Sequence, residues 1–246
     1  SFDAELLDAA LRHAFLILGI TYFRSYPDVD IVIQPFELSQ KQADYFNSIY
    51  RNGLGEFWFV NNLSPDVFKG FSAGSSDPDA PRPYGGDGIL LLSTGGKDSL
   101  LSSLLLQKAN KSFTPIFLSR DNYYPLMLDK ITGQPPLLLD RRIDWAQRRE
   151  IAAGGGLIGH VPFSAMIASL FLIAAVLNNK NIVVASNESS ANEGNAKIGD
   201  FVANHAWSKS YEYELMLQDY IHAFMSPDLQ YVSLLRAYTD LYISEQ

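Results

Sequence analysis

The 246-residue chain carries 19 Lys and Arg against 27 Asp and Glu, a formal net charge of −8 at pH 7. That balance disfavours a surface that holds nucleic acid by neutralising phosphates, which needs clustered basic residues. With no cysteine at all, disulfides, thiolate metal sites and cysteine nucleophiles are excluded within the chain, while its length suffices for a sizeable core.

The first residues predict a helix. Asp3 can cap it, Leu6, Leu7, Ala10, Leu11, Ala14, Phe15 and Leu18 recur at helical spacing, and Gly19 ends it. Acidic residues precede its first basic one, and Arg12 and His13 interrupt its apolar face, so no cleavable signal is expected there. A second helix begins at SQKQ, where Ser39 and Gln42 have capping-box spacing; Ala43, Phe46, Ile49 and Tyr50 form its buried face and Gly53 its stop. The short aromatic stretch GEFWFVNN reads as a strand or a packed loop. Residues 1–68 are thus expected to form a small, mainly helical cover. KGFSAGSSDPDAPRPYGGDG, residues 69–88, is dense in Gly, Pro, Ser and Asp, can bury little, and predicts a mobile connector.

From residue 89 the pattern changes. GILLLS, TPIFLS, PPLLLD and NIVVAS are short apolar runs of the kind found in strands buried on both faces. A helix is expected between the first two, from Asp98 to about Ala109, and another before the fourth, from Pro162 to Leu177, with Pro162 suited to a first turn. Strand and helix in alternation predict an α/β domain over 89–246, a parallel sheet with helices on both faces. The apolar run from Val161 to Leu177 falls short of the ~20 residues a membrane span needs and reads as a buried helix. A soluble, cytoplasmic protein without a membrane partner is the expectation. A last amphipathic helix is predicted from Trp207 to Phe224, with another beginning near Tyr231.

The stretch STGGKDS, Ser93 to Ser99, occupies the turn between the first strand and its helix. In such sheets that turn is where phosphate binds. Gly95 and Gly96 let the backbone bend tightly and approach an anion, and amides at the helix start point at it with the positive end of the helix dipole. Thr94 and Ser99 add hydroxyls, Lys97 a cation, and Asp98 either caps the helix or holds Mg²⁺. A plain glycine turn with a capping aspartate is the alternative. Neither G-x-x-x-x-G-K-[ST] nor G-x-G-x-x-G is present. TGGKDS instead resembles the S-G-G-x-D-S signature of the PP-loop ATP pyrophosphatases, of adenine nucleotide alpha hydrolase-like fold, with Thr94 in place of the first serine. The resemblance implies cleavage of ATP at the α phosphate.

Downstream, GHVPFSA (159–165), SNESSANEGN (186–195) and VANHAWSKSYEYE (202–214), together with RNGLGEF (51–57) in the cover, are similar to segments of the ATP-dependent UDP-N-acetylmuramoyl-L-alanyl-L-glutamate epimerase family of peptidoglycan synthesis. That resemblance implies inversion of the terminal L-glutamate of UDP-MurNAc-L-Ala-L-Glu to D-glutamate, with ATP consumed to AMP and pyrophosphate and Mg²⁺ as its cofactor. Adenylation cancels the carboxylate charge that otherwise makes the α proton hard to remove. The titratable candidates for acid and base are His160, His205, Lys209, Glu188 and Glu193; Glu188, on the strand edge, could ligate Mg²⁺ or abstract the proton, and Glu193 reads more simply as a solvated residue. His160 precedes a helix whose dipole would favour its neutral form, and His205 and Lys209, four apart, would share a helix face. A loop-bound histidine and a solvated lysine are the plainer alternatives. Ser93 to Ser99, with Ser186 and Asn187 after the NIVVA strand, are the nucleotide candidates, and Asp98 the metal ligand. Arg141, Arg142, Asn195, Asn204 and Ser210 are the substrate candidates; Arg141 and Arg142 could grip a carboxylate or phosphate bidentately or pair with Asp140 or Asp144 at the surface. Two other readings remain open at this level: a PP-loop ligase that amidates or thiolates another substrate, and a nucleotide sensor without turnover.

Overall fold

The computed structural model describes residues 2–75, 80–194 and 196–245. It opens with α1 (Ala4–Phe23), capped by Asp3, whose carboxylate accepts from the Glu5 and Leu6 amides at 3.1 and 2.9 Å. α2 (Gln40–Gly53) starts with the complete Ser39–Gln42 capping box. Gly19 does not end α1. A Cβ there would lie 3.2 Å from the Tyr50 hydroxyl, which donates to the Leu16 carbonyl at 2.7 Å, so the glycine makes room for a neighbour inside the helix. The buried face is also turned from the expected one: His13, Leu16, Ile17 and Ile20 are buried, while Leu11 and Phe15 are about half exposed or more. GEFWFVNN contains a six-residue helix, α3 (Gly55–Val60), with Phe57 and Trp58 fully buried. The described parts of 69–88, expected to bury little, bury Phe71 and Tyr84 and are tied down by the Tyr84 amide to Asp228 and the Asp87 amide to the Asn179 carbonyl, both at 2.9 Å.

The remaining elements follow as β1 (Ile89–Leu92), α4 (Lys97–Lys108), β2 (Phe113–Ser119), α5 (Met127–Thr132), β3 (Leu137–Asp140), α6 (Trp145–Ala153), α7 (Phe163–Leu177), β4 (Ile182–Ala185), β5 (Ala196–Ile198), β6 (Phe201–Ala203), α8 (Tyr211–Phe224), β7 (Gln230–Ser233) and α9 (Asp240–Glu245). Five strands form one sheet in the order β3-β2-β1-β4-β7, every neighbouring pair parallel, and β5 and β6 form a small antiparallel pair. The expected α/β architecture is present, with one strand more than the apolar runs announced. Near Tyr231, where a helix was expected, burial alternates with period two: Tyr231 and Ser233 are buried, Gln230 and Val232 exposed, and the segment pairs with β4.

Alternation also assigns the two faces of the sheet. Leu90, Val183 and Tyr231 join the large core that includes α1, α2, α7 and α8. Leu91, Val184 and Phe113 instead pack with Leu106 of α4. α7 packs on β4 and also along α1. α1 is, among the described residues, long and apolar enough to cross a membrane by length and composition, yet it lies against α7 with 44% of its most apolar window buried. The helix expected from Trp207 begins at Tyr211. Trp207–Lys209 makes one tight turn, and Ser210 then caps α8, its hydroxyl accepting from the Tyr213 amide at 3.1 Å.

His13 is wholly buried among Tyr45, Phe46 and Tyr220, its Nε2 2.9 Å from the Tyr45 hydroxyl. Burial pushes its pKa from 6.5 down to about 3, so on acidification the unfolded chain takes up this proton before the folded one. Stability is therefore lost as pH falls from about 6.5 toward 3, by on the order of 1.4 kcal/mol per unit. Urea unfolding at pH 7 and pH 5 should show ~2 kcal/mol of acid-induced loss that His13→Leu abolishes; an equal loss in the variant would clear His13 of responsibility.

Candidate functional site

Chain order in the sheet reverses between β1 and β4. From β1 the chain moves outward through β2 to β3, then returns across the sheet by way of α7 to β4 on the other side. Such a switch point opens a crevice at the carboxyl ends of the two strands. The Ser93–Gly96 turn leaves one side of it and Ser186–Asn187 the other, and the two sides are linked by Ser102 Oγ of α4 to Ser186 Oγ at 2.8 Å.

The turn has an internal brace and an open outer surface. Gly95 adopts φ +79°, which L side chains rarely hold. Gly96 occupies the cap position of α4 with extended backbone and no side-chain cap, so Asp98 does not cap the helix. Ser99, expected to donate outward, is buried: its hydroxyl donates to the Gly96 carbonyl at 3.0 Å and accepts from the Thr94 amide at 3.2 Å. Ser93 is buried beneath, its amide bonded to the Ile116 carbonyl at 2.9 Å. Thr94, Gly96 and Lys97 are exposed. The Thr94 amide is taken by Ser99 and the Gly96 amide by Thr94 Oγ1 at 3.4 Å, so the turn can present the uncapped first amides of α4, the Thr94 hydroxyl and the Lys97 ammonium to an anion in solvent. Lys97 Nζ is held by Asp98 at 2.7 Å and by Asp240 of α9 at 2.5 Å, and these hydrogen bonds, Asp240 foremost, push its pKa up to about 12.

The loop from β4 to α8 is fastened by a residue that sequence reasoning missed. Arg236 reaches Glu214 through Nε and Nη2 at 3.1 and 2.6 Å, and donates to the carbonyls of Glu188, Lys209 and Ser210 at 3.1, 2.8 and 3.2 Å. Glu214 also accepts from the Ser233 amide at 3.0 Å. Glu188 caps its own turn by accepting from the Ser190 amide at 2.5 Å. Asn187 donates to Ser233 Oγ at 3.0 Å, and Asn204 bridges the Ala191 carbonyl and the Ala206 amide at 3.0 and 2.8 Å. Glu188, Asn187, Asn204 and Ser210 therefore shape the loop, while the Lys209 side chain stands exposed. Asn195 lies outside the described residues. Arg142 pairs with Asp140 at 3.1 Å on the surface, and Arg141 lies over the Phe163 ring at 4.8 Å, at the start of α7.

His205 and Lys209 do not share a helix face, because α8 begins only after both. His205 instead meets His160 and Glu56. His160 Nδ1 is 3.5 Å from Glu56 Oε2, His205 Nδ1 contacts the same oxygen, and the two imidazole rings lie 4.7 Å apart. Two glycines allow the approach: a Cβ on Gly55 would press on Ala203 Cα at 3.3 Å, and one on Gly159 on the Phe57 ring at 3.2 Å. Burial, rather than the helix dipole, is the main cause that lowers the His160 pKa; Glu56 opposes it. Glu56 was part of the RNGLGEF stretch, but nothing in its spacing announced a partner some 150 positions away.

A family model described as the MurL N-terminal domain matches residues 2–234. The chain belongs to the MurL N-terminal domain family. It is 31% identical over 245 residues to a protein of Xanthomonas oryzae pv. oryzae named UDP-N-acetyl-alpha-D-muramoyl-L-alanyl-L-glutamate epimerase, covering 99% of this chain and 54% of that one. A Micromonospora protein of the same name is 31% identical over 243 residues, covering 97% and 53%. The chain spans about half the length of these curated relatives. Among solved structures, a predicted subunit of tRNA methyltransferase from Methanocaldococcus jannaschii aligns with 64% of this chain and 72% of its own, at 15% identity and a TM-score of 0.40, too loose a likeness to bear on fold or function.

The Arg236–Glu214 pair, with side chains 16% and 11% exposed, predicts a large effect of removing one partner. Arg236→Ala leaves the shielded Glu214 carboxylate without its cation and takes one donor from each of three carbonyls, and should lower unfolding free energy by about 3 kcal/mol, measured by urea titration; a loss within 0.5 kcal/mol, roughly what an inert surface change produces, would show that the pair does not hold the loop.

Proposed function

We propose that this chain is the ATP-binding part of an epimerase acting on the terminal glutamate of UDP-MurNAc-L-Ala-L-Glu. The reading is carried by relatives of that name that match 97–99% of the chain, and it is supported by the open anion-binding turn at the switch point of the sheet. The turn suits a polyphosphate: Gly95 gives the bend, exposed Thr94 and Gly96 leave the backbone approachable, and Lys97 brings charge. Asp98, half-buried at the start of α4 and already facing a cation in Lys97, suits Mg²⁺. When bound, Mg²⁺-ATP would supply the adenylation that neutralises the glutamyl carboxylate.

The chain's own groups then have separate tasks. Lys97 exchanges its carboxylate partners for phosphate oxygens, which requires Asp240 to release it. Ser99 and Thr94 keep the turn in shape while that happens. Lys209, exposed beside the loop, is a candidate proton carrier. His160 and His205 converge on a single carboxylate oxygen, so they do not flank a carbon from opposite sides as an acid and a base must to invert it.

The test is incubation of the whole protein, not of this chain alone, with ATP, Mg²⁺ and UDP-MurNAc-L-Ala-L-Glu in heavy water. Deuterium at the glutamyl α carbon, formed together with AMP, is expected; AMP without exchange would replace the epimerase by an adenylating ligase, and bound but uncleaved ATP by a sensor. Asp98→Asn should slow AMP formation about tenfold, the order of one charge-assisted contact, and an unchanged rate would remove Asp98 from the metal's shell.

A further inference from the structure

We propose that Glu56, His160 and His205 form a binding site for a divalent transition metal of the zinc class, separate from the nucleotide turn. The three residues come from α3, from the segment before α7 and from the segment after β6. Each offers one ligand atom, and the three atoms lie within 4.8 Å of one another. A tetrahedral ion with bonds of about 2.0–2.1 Å to imidazole nitrogen and carboxylate oxygen needs its ligand atoms roughly 3.3 Å apart, which the His160–Glu56 separation of 3.5 Å already matches.

The donor chemistry selects the metal. Two imidazoles and one carboxylate suit zinc, cobalt or iron, whereas Mg²⁺ prefers oxygen ligands and retained water. Three protein ligands leave a fourth position free, the arrangement of metal sites that act on a ligand rather than merely staple a fold. Exposure agrees with an open side: the His160 side chain is 19% exposed, Glu56 37% and His205 58%, so the cluster is walled on one flank and open on the other.

Packing holds the three together without help from a metal. Gly55 lets α3 press on β6 just before His205, and Gly159 lets the segment before α7 close on Phe57 beside Glu56. Arg24 donates to the Gly159 carbonyl and fixes the backbone next to His160. Both segments reach the carboxyl edge of the sheet. α7 starts there on its return from β3, and the stretch leading to His205 departs from the end of β4. A metal here would share that edge with the anion-binding turn, although the proposal stands whether or not the turn holds ATP.

The test uses untagged protein stripped with a chelator and titrated with Co²⁺ alone, read by the visible d–d absorption of a low-symmetry centre and by displacement with Zn²⁺. One equivalent per chain is expected, not displaced by millimolar Mg²⁺. His205→Ala and Glu56→Gln should each weaken Co²⁺ affinity at least thirtyfold. His222→Ala, an exposed histidine bonded to Gln218 within α8, should leave it unchanged. Circular dichroism and thermal unfolding of the metal-free variants separate lost ligation from lost folding; should Glu56→Gln misfold, the exposed His205 decides. Absence of stoichiometric binding, or equal affinity in His205→Ala, overturns the proposal. Failure of the heavy-water experiment would leave it standing.

Discussion

A helix that is apolar all round must be covered all round, and α7 imposes that condition on the whole molecule. Phe171, Leu172, Ala175 and Val176 are buried, and the helix lies between β4 and α1. The N-terminal helices are therefore part of the same core as the sheet: Ile17 and Ile20 of α1, Phe46 and Ile49 of α2, and Leu90 and Val183 of the strands belong to one continuous cluster. Removing the cover would expose α7, and a parallel sheet tolerates no such bare face.

The same constraint sets where chemistry can occur. With both faces of the sheet sealed, the strand ends are where backbone and polar side chains meet solvent. β1 and β4 end side by side with their connections departing in opposite directions, the place where sheets of this kind bind ligands. Its two sides differ in how they are kept in shape. The Ser93–Gly96 turn is braced internally, by Ser99 and by the positive φ of Gly95. The longer loop after β4 is held from outside by Arg236, which gathers three carbonyls and one carboxylate from separate stretches. A loop that carries so many polar groups stays ordered only if each finds a partner, and Asn187, Asn204, Glu188 and Ser210 are used in that way.

Charge near the turn is balanced rather than bare. Lys97 sits between Asp98 and Asp240, so an incoming anion competes with a carboxylate borne by the last helix, α9. The pair lies in solvent, where such contacts are individually weak and yield to a multiply charged ligand. By contrast, the Glu214–Arg236 pair, shielded from water and multiply bonded, belongs to the architecture.

What the sequence determined by itself are features decided within a few residues or by simple periodicity. The Asp3 cap, the Ser39–Gln42 box, four of the five sheet strands, the helix after STGGKDS and the glycine bend belong here, because local hydrogen bonding and the run length of apolar residues decide them. Tertiary structure decided the rest. Which face of α1 is buried depended on where α7 and Tyr50 lie, so His13 went inside and Phe15 outside. Tyr231 became a strand because an open edge of β4 was beside it. Ser99 became a brace and Ser210 a cap, roles that the residue type permits but does not specify. The meeting of Glu56 with His160 and His205 was invisible in one dimension, since only the closure of three distant segments over two glycines brings one carboxylate against two imidazoles.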